Sequence, residues 1–238
     1  MANLAGKTIM ITGATGNVGA GVVKAFVDAG ANIALVDLNA DKIANMINKE
    51  LGGDTSRFKG FPTNLGEPEA VKATVDEIAA QFGQIDGLVH TVGGYAAGDP
   101  VHAVNLSVFD KMISLNARMV YLVCGAVANH MVEKGVKGSI SVMLARSGQK
   151  GSKGHAAYAA SKAAATRIME SMALELKEHG IRVNGISPST VDTPPNRESM
   201  PNANFDHWVK PEQIGDLMVF LATNEAMTGT DIEISAWS

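Results

Sequence analysis

With 238 residues, 46% hydrophobic and 18% charged, the chain is long enough for one large α/β domain with a substantial buried core. A formal net charge of -4, with Lys and Arg scattered rather than clustered, argues against a nucleic-acid partner. The single cysteine, Cys124, excludes an intramolecular disulfide framework, and no segment has the roughly 18 uninterrupted apolar residues of a membrane span, so a cytoplasmic protein without a membrane partner is expected.

The start reads as a strand rather than a signal peptide, with a short β-branched apolar run over 8–11. It runs into Thr12-Gly13-Ala14-Thr15-Gly16-Asn17-Val18-Gly19, followed by apolar residues at helical spacing up to Gly30. Strand, glycine-rich turn and helix, in that order, are what a dinucleotide site requires. Glycines admit a pyrophosphate close to the backbone, and a helix N-terminus offers free N–H groups. Gly13, Thr15, Gly16, Asn17, Val18 and Gly19 are therefore candidate cofactor residues. The next strand, 32–36, ends at Asp37, placed to accept hydrogen bonds from an adenosine ribose and to repel a 2′-phosphate. That favours NAD(H) over NADP(H); the plain alternative is a solvated acid opening the next helix.

A helix over 40–51, a strand over 57–61, a helix over 67–81 and a strand over 85–91 come next. Asn64 follows the third strand, where its amide could meet an adenine edge, and the fourth leads into Gly93-Gly94-Tyr95. Residues 107–134 read as mostly helical and contain Asn116; a fifth strand covers 139–144, and a long helix carrying Tyr158 and Lys162 runs to about residue 179. A sixth strand over 181–186, an irregular proline-rich stretch over 188–208, a helix over 211–222 and a short strand over 231–235 complete the chain. This alternation predicts a single-domain, Rossmann-like, doubly wound parallel sheet of about seven strands spanning 1–238, with ligands beyond the strands' carboxyl ends.

Tyr158 and Lys162 stand four residues apart on one helix face. A phenol near an ammonium can pass a proton, and the ammonium is expected to favour the phenolate. The six histidines show no zinc-like pairing, so no metal is expected and solvated or capping roles are assigned to them. Cys124, Met143, Met169 and Met172 read as core filler.

In its ordered motifs the chain resembles the short-chain dehydrogenase/reductase family over nearly its whole length. The turn reads T-G-x-x-G-x-x-G against the family's T-G-x-x-x-G-x-G, with Asn17 at the second glycine; His90-Thr91-Val92-Gly93 stands in place of N-N-A-G. Asn184, Pro188 and Thr193 fit N-x-x-x-P-G-x-x-x-T, with Ser189 replacing the glycine. The resemblance implies Tyr158 as general acid/base, Lys162 as its partner on the nicotinamide ribose, Asn116 as a structural and proton-relay residue, and Gly93, Pro188 and Thr193 at the cofactor. It also implies a homodimer or homotetramer, built on the helix of Tyr158 and the one after Asn105.

The family's catalytic serine, about thirteen residues before the tyrosine, falls on Ala145; Ser147 is two positions late. Within the family the dihydropteridine reductase branch also lacks this serine and uses NADH. The resemblance to it rests on Asp37, Gly93-Gly94 followed by an aromatic, Ala145 with Arg146 behind it, and the lid of about 190–210, with Asp192-Thr193-Pro194-Pro195-Asn196-Arg197-Glu198-Ser199-Met200-Pro201, then Phe205 and Trp208. Tyr95 stands where that branch has tryptophan. The implied substrate-binding residues are Tyr95, Ala145, Arg146, Asn196 and Trp208, and the implied reaction is NADH-dependent reduction of a small, flat, activated substrate such as a quinonoid dihydropteridine. The alternatives are a carbonyl reductase or alcohol dehydrogenase that tolerates Ala145, and a non-catalytic NAD-binding regulatory or scaffold protein.

Overall fold

The computed structural model describes residues 3–237. The described strands are β1 (Thr8–Thr12), β2 (Asn32–Asp37), β3 (Phe58–Pro62), β4 (Gly87–His90), β5 (Ser139–Met143), β6 (Arg182–Pro188) and β7 (Asp231–Ile234), and they form one sheet in the order β3-β2-β1-β4-β5-β6-β7. Every pairing is parallel, with Thr12 opposite Val36 on one side and His90 on the other. The doubly wound parallel sheet expected from the βα alternation is therefore what forms.

Side-chain parity explains why both faces are covered. Ile9, Ile11, Ile33, Leu35, Val89, Met143 and Ile186 point to one face, where α1 (Asn17–Asp28), α2 (Ala40–Asn45) and α8 (Pro211–Thr223) bury Val22, Phe26, Ile43 and Ile214 on them. Met10, Ala34, Val36, Leu88, Ile140 and Val142 point the other way, onto α3 (Pro68–Phe82), α5 (Met119–Lys134) and α6 (Ala156–Glu175). Strands buried on both faces read as continuous apolar runs. Phe26 is fully buried, worth roughly 2–3 kcal/mol relative to exposure. Helices α1 and α8 approach closely because Gly21 and Gly215 lack side chains; a Cβ on Gly215 would lie 2.8 Å from the Gly21 carbonyl oxygen.

The expected helix over 107–134 is interrupted. α4 (Leu106–Ile113) passes through a π-helical turn, Ser114–Arg118, into α5. The extra residue per turn falls around Asn116, and such bulges occur frequently at functional sites. The whole run Leu106–Lys134 is long and apolar enough to cross a membrane by length and composition, but Val120, Val123, Val127 and Met131 are spent on the sheet. The helix over 40–51 likewise ends in a π turn, Met46–Glu50.

Two further expectations are corrected. The stretch 188–208 is not irregular throughout: α7 (Pro194–Ser199) starts on a proline, which suits the first turn of a helix because its missing N–H would have no partner there. His90 and His130 are neither solvated nor caps, being 0% and 6% exposed. His130 accepts a hydrogen bond from the Ile85 N–H at 3.3 Å and ties α5 to the entry of β4. Cys124 is buried in the core, as expected, which pushes its thiol up to about 12.

Candidate active site

Parallel order brings the carboxyl ends of β1, β2, β4, β5 and β6 to one edge, and the strand order reverses direction between β1 and β4. The glycine turn leaves β1 at that point. Gly13 takes φ +67°, a conformation that favours glycine, and a Cβ there would lie 2.8 Å from Thr91 Oγ1. A Cβ on Gly19 would collide with the Gly13 carbonyl oxygen, so this turn closes only with glycine at both positions. Gly16 precedes the helix in extended backbone without a side-chain cap, leaving the N–H groups of Asn17, Val18 and Gly19 without intrahelical acceptors. This cradle fits a pyrophosphate.

Asp37 ends β2 beside the turn and fixes it. Its Oδ2 accepts from the Thr15 N–H at 3.0 Å and from Thr15 Oγ1 at 2.7 Å, while Oδ1 accepts from the Leu38 N–H at 2.7 Å. A carboxylate has about four lone-pair sites, so capacity remains for one ribose hydroxyl. Asn64 is exposed past β3, with Oδ1 accepting from the Gly66 N–H at 3.1 Å. Pro188 ends β6, and Thr193 is buried at the start of α7. These residues line one edge and would hold the two halves of a dinucleotide.

At the other end of the crevice, α6 carries Tyr158 and Lys162. Lys162 is buried, and its ammonium donates to the Met143 carbonyl at 2.8 Å. Burial lowers the ammonium to about 8 and raises the Tyr158 phenol to about 12, with Tyr95 adding to the latter. This corrects the expectation that the ammonium pulls the phenol toward its ionised form: desolvation dominates both groups, so Tyr158 is a protonated phenol at neutral pH.

Asn116 is fully buried in the π turn and works as a bracket. Its Oδ1 accepts from the Gly94 N–H at 2.8 Å; its Nδ2 donates to the Gly94 carbonyl at 2.9 Å and to Ser161 Oγ at 3.0 Å. One amide thus joins the loop after β4 to the helix of Tyr158. Ser161, invisible as a candidate in the sequence, completes the bracket by donating to the Tyr158 carbonyl at 2.7 Å.

The substrate residues divide. Tyr95 reaches the site, its ring edge-on to Tyr158 with centroids 5.0 Å apart. Ala145 is buried in extended backbone just before the turn Arg146–Gly148, which packs on α6: a Cβ on Gly148 would lie 2.9 Å from the Lys162 carbonyl carbon. Arg146 instead pairs with Glu233 of β7 at 3.8 Å. Asn196 and Trp208 serve the packing of the 190–210 segment: Asn196 Nδ2 donates to the Val191 carbonyl at 2.8 Å, and Trp208 is buried with its ring 4.9 Å from Phe205. Asp192 ties that segment together, accepting from Arg197 and Lys210, which hold its carboxyl well below the usual range. The sequence also missed His155, three residues before Tyr158, whose Nε2 lies 2.9 Å from Tyr95 Oη. Its position just outside the helix of Tyr158 was the available signal.

Comparison with known proteins agrees with this fold. The short chain dehydrogenase family model matches residues 7–204. The D-threitol dehydrogenase of Mycolicibacterium smegmatis is 34% identical, covering 97% of this chain and 92% of that protein. The human (3R)-3-hydroxyacyl-CoA dehydrogenase is 28% identical over 95% of this chain and 93% of its own length. Among solved structures, gox2181 superposes with a TM-score of 0.90 at 26% identity, covering 98% of this chain and 96% of that one. An NAD+-bound xylitol dehydrogenase gives 0.89 at 25% identity, covering 98% and 99%.

Proposed function

The chain belongs to the short chain dehydrogenase family, and on that premise we propose that it is an NAD(H)-dependent reductase of a small, flat, activated substrate, with a quinonoid dihydropteridine the leading candidate. The observation that carries this reading is the pairing of a half-buried Tyr158, whose phenol is pushed up to about 12, with a buried alanine at position 145. A phenol near 12 is a proton donor at neutral pH, whereas Ala145 offers no hydrogen bond to a developing oxyanion. Loss of such a donor costs roughly 10² to 10³ in rate for a substrate that needs it. An electron-poor ring that gains a stable π-system on reduction needs positioning and a proton more than an oxyanion clamp.

NAD(H), when bound, supplies the hydride. The protein's own contribution is then specific. The Gly13–Gly19 turn and the α1 N-terminus hold phosphate, Asp37 selects the unphosphorylated ribose, and Lys162 is presented to the nicotinamide ribose. Tyr158 delivers the proton from its Oη, and Asn116 keeps the loop of Tyr95 in register with α6.

A second reading is favoured by one observation: relatives such as D-threitol dehydrogenase and the 2,5-dichloro-2,5-cyclohexadiene-1,4-diol dehydrogenase of Sphingobium indicum, 32% identical, are named for the oxidation of hydroxylated carbons. In that direction the same residues remove a proton rather than deliver one. A panel of one quinonoid dihydropterin, several ketones and several polyols, followed by NADH absorbance, separates the two. Turnover of polyols alone would displace the pterin, and binding of NADH without turnover of any would displace both.

A further inference from the structure

Tyr95 and His155 belong to different loops, 60 residues apart, and meet at the mouth of the crevice. Tyr95 Oη lies 2.9 Å from His155 Nε2, and His155 Nδ1 lies 2.9 Å from the Lys153 carbonyl oxygen. A carbonyl only accepts, so Nδ1 carries the proton. A neutral imidazole has one N–H, so Nε2 presents a lone pair and the Tyr95 hydroxyl donates to it. The phenol's proton is thereby turned away from the crevice. What Tyr95 Oη still offers is an acceptor.

The loops hold this arrangement. The Gly98 N–H donates to the Gly154 carbonyl at 2.9 Å, and the His155 N–H donates to the Ser152 carbonyl at 3.1 Å. Tyr95 also packs edge-on against the ring of Tyr158, with centroids 5.0 Å apart, so the two rings share the same mouth. Ala145 contributes only a methyl group. A substrate polar group near Tyr158 therefore meets the acceptor of Tyr95 and finds no hydroxyl at position 145.

We propose that Tyr95, oriented by His155, recognises a hydrogen-bond donor on the substrate next to its reacting atom, an O–H or N–H group. The substrate class is then a vicinal diol or hydroxy ketone, or a ring with N–H groups on its edge, and not a plain ketone or monohydric alcohol. This assignment rests on the NAD(H) oxidoreductase reading of the same crevice. Tyr95 is the specificity-determining contact and His155 the positioning residue behind it.

The test uses full-length protein loaded with NADH and two matched pairs of probes: cis-cyclohexanediol against cyclohexanol, and lumazine against its doubly N-methylated form, each titrated by calorimetry. The donor-bearing member of at least one pair binds roughly three- to tenfold tighter, the range of a single hydrogen bond. Tyr95→Phe abolishes that difference while the NADH dissociation constant stays the same. His155→Ala, which frees the phenol to turn its O–H inward, reduces the difference as well. A response in the diol pair alone assigns a hydroxyl, and in the lumazine pair alone a ring N–H. A preference that survives Tyr95→Phe, or no preference in either pair with NADH bound, overturns the inference and leaves the cofactor reading standing. Failure of NADH to bind overturns both.

Discussion

Gly93 lies directly against the amide of Asn116: a Cβ on it would stand 2.8 Å from Asn116 Oδ1 and 3.3 Å from Lys162 Nζ. Both neighbours are buried and already bonded, Asn116 to the Gly94 N–H and Lys162 to the Met143 carbonyl, so neither yields without losing a partner. Gly93→Ala is expected to cost about 1–3 kcal/mol of stability by overpacking. Turnover should fall by about tenfold or more as the Tyr95 loop shifts from α6. Urea denaturation with steady-state kinetics checks both; unchanged kinetics would remove Asn116 from its bracketing role.

Lys162 is held charged at neutral pH at a cost. Its ammonium, ordinarily at 10.5, is lowered to about 8 by burial, a difference of about 3 kcal/mol between the charged and neutral forms. From pH 8 to 10.5 the unfolded chain binds a proton that the folded one has released, so this residue makes stability rise with pH in that window. Below pH 8 the whole penalty is present. Lys162→Met removes it and leaves the Met143 carbonyl without its donor, which offsets about 1–2 kcal/mol. The variant is expected to melt higher than the native chain at pH 7, to lose turnover, and to lose the alkaline rise. A lower melting temperature at pH 7 would mean that the ammonium stabilises the fold.

The sequence was legible wherever one residue type satisfied a local requirement. Alternating strand and helix patterns revealed the sheet, and Gly13 and Gly19 marked a turn that only glycine closes. It was less informative where tertiary contacts decide. The π turn around Asn116 leaves no mark in an apolar helical run, and Pro194 reads as a breaker until it is seen to start α7. Asn196, Trp208 and Arg146 matched a motif, yet a motif does not say which way a side chain turns; here two pack the 190–210 segment and the third meets Glu233. The proximity of Tyr158 and Lys162 is visible in their spacing, but the burial of Lys162 and the desolvation of the Tyr158 phenol are not.

His90 occupies a position where burial disfavours a charge. Its Nδ1 is 2.8 Å from Thr12 Oγ1, the ring is fully buried, and burial together with the nearby Lys162 lowers it to about 3 from 6.5. Below pH 6.5 the unfolded chain takes a proton that the folded chain refuses, so stability is lost as the pH falls through that window toward 3. His90→Asn removes the titrating group. Stability of the variant should fall less steeply between pH 6 and 4, by about one proton in the slope of unfolding free energy against pH. Identical slopes would show that His90 is not the group being titrated.

Asp37 has two tasks that can be separated. It pins Thr15 through Oδ2, and in the proposed NAD(H) reading its charge would face an adenosine 2′-substituent. NADH is expected to bind at least about tenfold tighter than NADPH, a difference of about 1.4 kcal/mol. Asp37→Asn can still accept from Thr15 but carries no charge, so it should narrow that ratio by improving NADPH rather than by weakening NADH greatly. Asp37→Ala frees Thr15 and should weaken both. Fluorescence titration of the two coenzymes gives the answer, and a native preference for NADPH would overturn the assignment.

Ala145 tests the choice of substrate most directly. Its backbone is extended, with φ −163° and ψ 147°, a conformation that serine adopts without strain, and its side chain is buried beside the α6 helix that carries Tyr158. Ala145→Ser adds one hydroxyl and little volume, so the fold should tolerate it. If the native substrate gains little from an oxyanion donor, the new hydroxyl should raise kcat/KM for simple ketones by about tenfold or more and leave quinonoid dihydropterin reduction unchanged. Were the native reaction the reduction of an unactivated ketone, the same substitution would accelerate that reaction instead. Equal acceleration of both substrate types would show that Ala145 limits the chemistry in general, and the argument that the substrate is already activated would fail.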